Sequence, residues 1–233
     1  MFKKILLLVA VSLMLITPAF ASEATKTVVQ VSGSSQKEIA PDIARISIAI
    51  NTFNSNIENA KIENNRTVNK VLASLKEQGV SEEKIKTDTY QVNPIYSYED
   101  DRLPKLKGYR ITERLEVVTA IDKASIVVNE VTKAGAVEIN WVRFESENES
   151  ESRKDALKDA IQDALNKADI IASALNKKVA GVTLVNESGV YYNPVIMESR
   201  MLKSANMDAA APPNILVGKV TVGANVQVTV QLK

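Results

Sequence analysis

The 233-residue chain contains neither cysteine nor histidine. Without cysteine no disulfide can form, so an exported protein of this sequence must hold its fold by packing alone. Without histidine and thiolate, zinc, copper, haem and His-carboxylate iron sites lose their usual ligands. Ser-His and Cys-His nucleophilic pairs are excluded outright. Carboxylate chemistry, Ser-Lys chemistry and oxygen-ligand metals remain open. Charge of one sign is lacking too: 29 basic residues face 28 acidic ones, which gives no electrostatic case for nucleic acid or an anionic membrane. Aromatics are few, with one Trp, four Phe and six Tyr. Paired carboxylates for glycoside hydrolysis stay open, but Trp141 and scattered tyrosines supply a sugar-stacking cleft poorly.

Beyond the first 21 residues no apolar run is long enough to span a bilayer, which takes about 20 residues. Residues 1–21 read as a secretory signal peptide: Lys3 and Lys4, a mostly apolar stretch from Ile5 to Ile16, then Ala19-Phe20-Ala21 as an A-x-A cleavage site leaving Ser22 first. No cysteine follows that would carry a lipid anchor. Removing Lys3 and Lys4 leaves 27 basic against 28 acidic residues, a formal charge of −1 on the mature chain. Residues 22–233 are enough for one domain or for two lobes, roughly 22–121 and 122–233, sharing a core. The expected compartment is the periplasm, or the exterior in a host without an outer membrane.

The dominant element present is Ser152 to Lys178. At 3.6 residues per turn, Leu157, Ala160, Ile161, Ala164, Leu165, Ala168, Ile171, Ala172 and Leu175 share a stripe. Alanines recur every four residues from Ala156 to Ala172, a ridge without bulk that lets another layer come close. Such a helix is built to lie on a sheet. Strands are expected at Thr27–Ser32, Ile43–Ile50, Thr87–Tyr96 (ended by Pro94), Gly108–Ala120, Val137–Glu145, Val182–Asn186 and Val220–Leu232. The last alternates Val220, Val222, Ala224, Val226, Val228, Val230 and Leu232 almost without fault. A helix runs from the capping box Ser55-Asn56-Ile57-Glu58 to Gln78 with Gly79 beyond it, its middle weakened by Asn64. A shorter one, Ala124–Ala134, is capped by Asp122 and closed by Gly135. This order predicts an α+β fold: mostly antiparallel sheet with helices packed on one face, in two similar β-α-β-β-type halves.

Several of these segments carry a family resemblance. VSGSSQKEIAPDIARISIAI resembles the opening of the SIMPL-domain family, which includes periplasmic immunogenic proteins of bacteria. Leu75 with Gly79, Ile85 with Thr87, Pro94 with Tyr96 and Tyr98, Gly108-Tyr109, the Arg153–Ala168 helix and the Gly218–Leu232 strand follow in order over nearly the whole mature chain. Asn140-Trp141-Val142 departs from the pattern, where a Gly-bearing turn of strand is expected. So does Asn176, where Gly often ends the helix and Asn can take the same left-handed conformation. The resemblance implies an exported α+β protein without established catalytic residues. Some relatives are linked to oxidative-stress tolerance, and the family takes its name from a eukaryotic kinase-associated signalling protein.

Candidate sites are sparse. Glu145, Glu147, Glu149 and Glu151 alternate and could offer oxygen ligands to calcium, or else favour a helix N-terminus. No D-x-D-x-D-G spacing accompanies them. Ser34–Lys37 and Ser81–Lys84 match S-x-x-K without the S-D-N and K-T-G partners of penicillin-interacting enzymes. Three N-x-S/T matches at Asn65, Asn148 and Asn186 are read as chance. The stretch from Gly189 to Val217 is too long for an ordinary loop and holds Tyr191, Tyr192, Met197 and Met201, residue types suited to contact surfaces. Ile170 lies roughly opposite the apolar stripe. The expectation is a non-enzymatic interaction protein without a cofactor, a homo-oligomer in the cell envelope, linked to envelope or oxidative-stress tolerance. The alternative is an envelope hydrolase using paired carboxylates or a Ser-Lys dyad.

Overall fold

The computed structural model describes residues 26–98, 103–135, 138–198 and 217–233. The signal-peptide residues Ala19, Ala21 and Ser22, and Met201 of the contact stretch, lie outside them. Among the described residues the fold is α+β with two antiparallel sheets and three helices.

The larger sheet grows around β2 (Ile43–Asn54), whose Ala44, Ile46, Ile48 and Ile50 are fully buried. Beside it lie β4 (Lys105–Ala120) and β5 (Glu138–Glu145), with β3 (Ile85–Ser97) and β7 (Val195–Glu198) at the edges. One face is covered by α1 (Ile57–Glu77) and α2 (Ala124–Ala134). These bring Val68, Val71, Leu75, Val127 and Val131 onto Val117, Val142 and Phe144. The cap of α1 is Asn56 rather than Ser55: its side chain accepts from the N–H groups of Glu58 (2.8 Å) and Asn59 (3.1 Å). Gly79 follows the helix with φ +81°. Asp122 does not cap α2; it lies in a 3₁₀ turn, Ile121–Lys123, and no side chain caps the helix start. Pro94 does not end β3 but sits inside it. It is tolerated because β3 is an edge strand and needs one fewer donor.

The smaller sheet holds β1 (Val28–Ile39), β8 (Val220–Leu232) and β6 (Val179–Asn193), with β8 in the middle. A central place removes β8 as an open edge. Over this sheet lies α3 (Glu149–Ala174), and Ala156, Ala160, Ala164, Ala168 and Ala172 are the residues it buries. Gly33 of β1 explains why they must be small. A Cβ there would lie 2.0 Å from the Ala160 carbonyl oxygen and 2.8 Å from Ala164 Cβ. Leu175, placed on the stripe by periodicity, falls just past the helix and is 52% exposed. Asn176 takes φ +54° there, standing where glycine would be easiest.

Both sheets draw strands from either side of residue 121. β1 passes into β2 through Ala40-Pro41-Asp42, and β6 into β7 through Pro194, so two prolines mark where chains change sheet. Gly189–Asn193 therefore complete a strand and Val195–Glu198 form another, where a loop is expected from the sequence.

Candidate interaction surface

The four glutamates do not converge. Glu145 ends β5, is 8% exposed, and accepts from Arg45 Nε at 3.1 Å, with Arg143 Nη1 at 3.6 Å. Arg45 also donates to Glu116 at 2.8 Å. Burial opposes charge on Arg45, but the two carboxylates outweigh it and hold the guanidinium more firmly protonated. Glu147 pairs with Lys84 (3.2 Å), Glu149 with Arg153 (2.7 Å) and Glu151 with Lys154 (3.3 Å). The strand stops at Glu145, so the alternation that would align the four side chains stops with it. Among the described residues no three acids gather as a metal-binding group. Each of the four carboxylates is held by its own cation, and they do not form the shared oxygen set that a calcium ion takes.

The tyrosines are engaged inside the protein. The Ser146 N–H donates to Tyr192 Oη at 2.6 Å, the Arg153 guanidinium lies 5.4 Å from the ring centre, and Arg153 Nη1 donates to the Val190 carbonyl at 3.0 Å. Burial raises the Tyr192 pKa against the lowering effect of the Ser146 N–H. Tyr191 crosses from β6 over Gly223 of β8, where a Cβ would come within 2.3 Å of its hydroxyl. Met197 packs, partly buried, against the core of the larger sheet. Of the predicted contact residues among those described, only Ile170 stands free, 69% exposed on the face of α3 away from the sheet. Ser34 and Ser81 do not meet their lysines: Ser34 N–H donates to Asp163, Ser81 Oγ to Glu83, Lys37 pairs with Asp159 and Lys84 with Glu147.

An exposed surface that the sequence reading passed over lies on β6. Residues 180–189 are all exposed, and Val182, Leu184 and Val185 stand at 49%, 52% and 48%. Val182 and Val185 pair with Val230 and Val228, so they lie on the α3 side of the sheet; Leu184 pairs with Thr229 on the other. The opposite edge is closed. The Ser34 N–H donates to Asp163 Oδ2 at 2.9 Å, and Lys167 Nζ donates to the Ser32 carbonyl at 3.0 Å. The bond from Lys167 and that N–H hold the Asp163 carboxyl below its usual range. The flank of α3 carrying Asp159, Asp163 and Lys167 thus covers β1. Leu157, Ile161 and Leu165 lie on its other flank, towards β6. The adjacent apolar residues of Val182-Thr183-Leu184-Val185 were the available signal. Strict alternation fails there because Thr183 is an extra residue in the ladder.

The family model described as "SIMPL: Protein of unknown function (DUF541)" matches residues 29–230. The chain belongs to the SIMPL family. This SIMPL protein is 27% identical over 244 residues to the 26 kDa periplasmic immunogenic protein of Brucella melitensis, covering all of the chain and 95% of that relative. It is 24% identical over 180 residues to the uncharacterized protein YggE of Escherichia coli K12, covering 77% and 71% of the two. Its likeness to YggE of Edwardsiella ictaluri, 28% over 112 residues, covers 48% and 47%. No helix among the described residues is long and apolar enough to cross a membrane.

Proposed function

We propose that this SIMPL protein is an exported, periplasmic protein that acts by binding, not catalysis, and assembles with copies of itself. The observation that carries the reading is the difference between the two edges of the smaller sheet. One edge is closed by charged side chains of α3, and the other presents Val182, Leu184 and Val185 to solvent. Open apolar strand edges invite pairing unless they are covered. A second copy is a fitting cover: antiparallel approach of two β6 edges brings Lys177 and Lys178 of one towards Glu187 of the other, at opposite ends of the exposed stretch. Register shifts near residues 180, 183 and 188 limit the shared ladder, so side-chain packing of 182–185 provides the contact. Export is supported by the N-terminal pattern and by the periplasmic name of the Brucella relative. A part in envelope or oxidative-stress tolerance accords with the family resemblance.

Light scattering on residues 22–233 over micromolar concentrations tests the assembly. The mass should exceed that of one chain, and the exposed change Val185→Lys should lower it without altering the urea midpoint. A wild type monomeric throughout overturns the assembly; stoichiometric labelling of Ser34 or Ser81 by a serine-directed acylating probe overturns the non-catalytic reading.

A further inference from the structure

Glu113 occupies a position where its neighbours are apolar. On β4 the residues facing the helices are Ile111, Glu113, Leu115 and Val117, paired in turn with Thr52, Ile50, Ile48 and Ile46 of β2. Ile111, Leu115 and Val117 are buried. Glu113 interrupts this row, with Tyr90 of β3 across from it on the outer side. The carboxylates on the reverse face of the same sheet, Glu116 and Glu145, each have an arginine. Among the described residues Glu113 has neither an ion pair nor a side-chain hydrogen bond.

The carboxylate opens into a groove between α1 and the β3 edge. A cavity of about 290 Å³ is lined by the apolar Val68, Leu72, Ile85 and Leu115 and by the polar Glu82, Thr87 and Glu113. A second cavity of about 190 Å³ adjoins it through the shared Leu72, Glu82 and Ile85 and ends near Lys76. Together they reach the size of a small-molecule site, about 300–1,000 Å³, with apolar walls and few polar groups. A shift in the β3 register between Thr87 and Thr89 lies beside the opening. Bulges of this kind re-aim side chains at sheet edges and next to sites.

We infer that this groove binds a small amphiphilic monocation, its ammonium on the Glu113 carboxylate and its aliphatic body along Val68, Leu72 and Ile85. A half-buried carboxylate without a partner gains most from a cation brought to it, since the local dielectric is lower than that of water. An anion would meet both Glu113 and Glu82. In the second cavity Lys76 stands with Glu82, so the acid there already has a cation near it and Glu113 is the carboxylate left without one.

Hexylammonium titrated into isotopically labelled residues 22–233, followed by amide shifts, tests the site. Saturable shifts are expected at Leu72, Ile85, Thr87 and Leu115, with hexanol at least tenfold weaker. Glu113→Gln keeps the side-chain shape and should weaken hexylammonium binding at least tenfold. Thr87→Lys, an exposed change on the edge strand, should do the same by placing a competing cation at the rim. No saturable shift up to millimolar probe, equal binding of hexanol, or undiminished affinity in both variants overturns the site.

Discussion

The two helix-on-sheet layers solve one problem with opposite side chains. In the larger layer α1 and α2 insert Val68, Val71, Leu75, Val127 and Val131 between strands that offer Ile46, Ile48 and Phe144. In the smaller layer the residues that α3 buries are all alanines, and β1 answers with Gly33. The first contact depends on volume, so it suffers most when volume is removed. The second depends on close approach, so it suffers most when volume is added. Stability is therefore sensitive to truncation in one layer and to enlargement in the other.

The largest effect expected follows from truncating the larger core. Phe144 is fully buried, and Phe144→Ala should cost about 3–5 kcal/mol. Urea unfolding with an unchanged m-value measures it, and a loss under 1 kcal/mol would show that this core collapses around the gap. Enlargement of the alanine ridge comes next. Ala168→Leu should cost about 1–3 kcal/mol, while Asn166→Leu, on the solvent side of the same helix, should change the midpoint far less. Equal midpoints for the two would remove the close approach from the comparison.

Asn64 sharpens the comparison in the opposite direction. It is fully buried in the larger layer, and neither its amide nitrogen nor its oxygen has a partner. Asn64→Leu keeps the size and removes two unsatisfied groups, so stability should rise, by about 1–3 kcal/mol. A lowered urea midpoint would mean that the amide has a bound partner. The smallest effect expected belongs to Glu113, whose carboxyl is pushed up by burial. A folded-state pKa above the unfolded value means that the folded protein holds the proton more tightly. Stability should therefore fall as pH rises from the ordinary carboxylate range through the raised value, and stay lower above it. Glu113→Gln should flatten that step. A variant with the wild-type pH profile in this window would assign the step to another group.

Much of the fold was legible because local patterns report local structure. Alternation at Ala44 to Ile50 and at Val220 to Leu232, the alanine spacing of α3 and the stops at Gly79 and Gly135 all stand where periodicity and backbone freedom place them. The resemblance to the SIMPL family was legible for the same reason, as a run of such signals in fixed order. The surroundings of the candidate residues were less legible. Tyr191 and Tyr192 looked like loop residues because Gly189 and Pro194 flank them, yet Gly223 on a strand far along the chain gives Tyr191 its place. Glu145 to Glu151 looked like one cluster because alternation was carried past the end of a strand; the arginines and lysines that separate them come from elsewhere in the chain or from their own helix.

By itself the sequence determined the exclusion of histidine and cysteine chemistry, the class of fold, and which face is apolar in the regularly patterned strands and helices. These follow from residue type and from spacings within ten or twenty positions. Tertiary structure alone decided that β8 is central, that β1 is the covered edge and β6 the open one, and that Glu113 faces an apolar groove without a partner. Edge and centre are relations between strands far apart along the chain, as in the pairing of Val28 with Gln231. Whether a charge is paired depends on which side chains folding brings beside it, and no spacing along the chain encodes that.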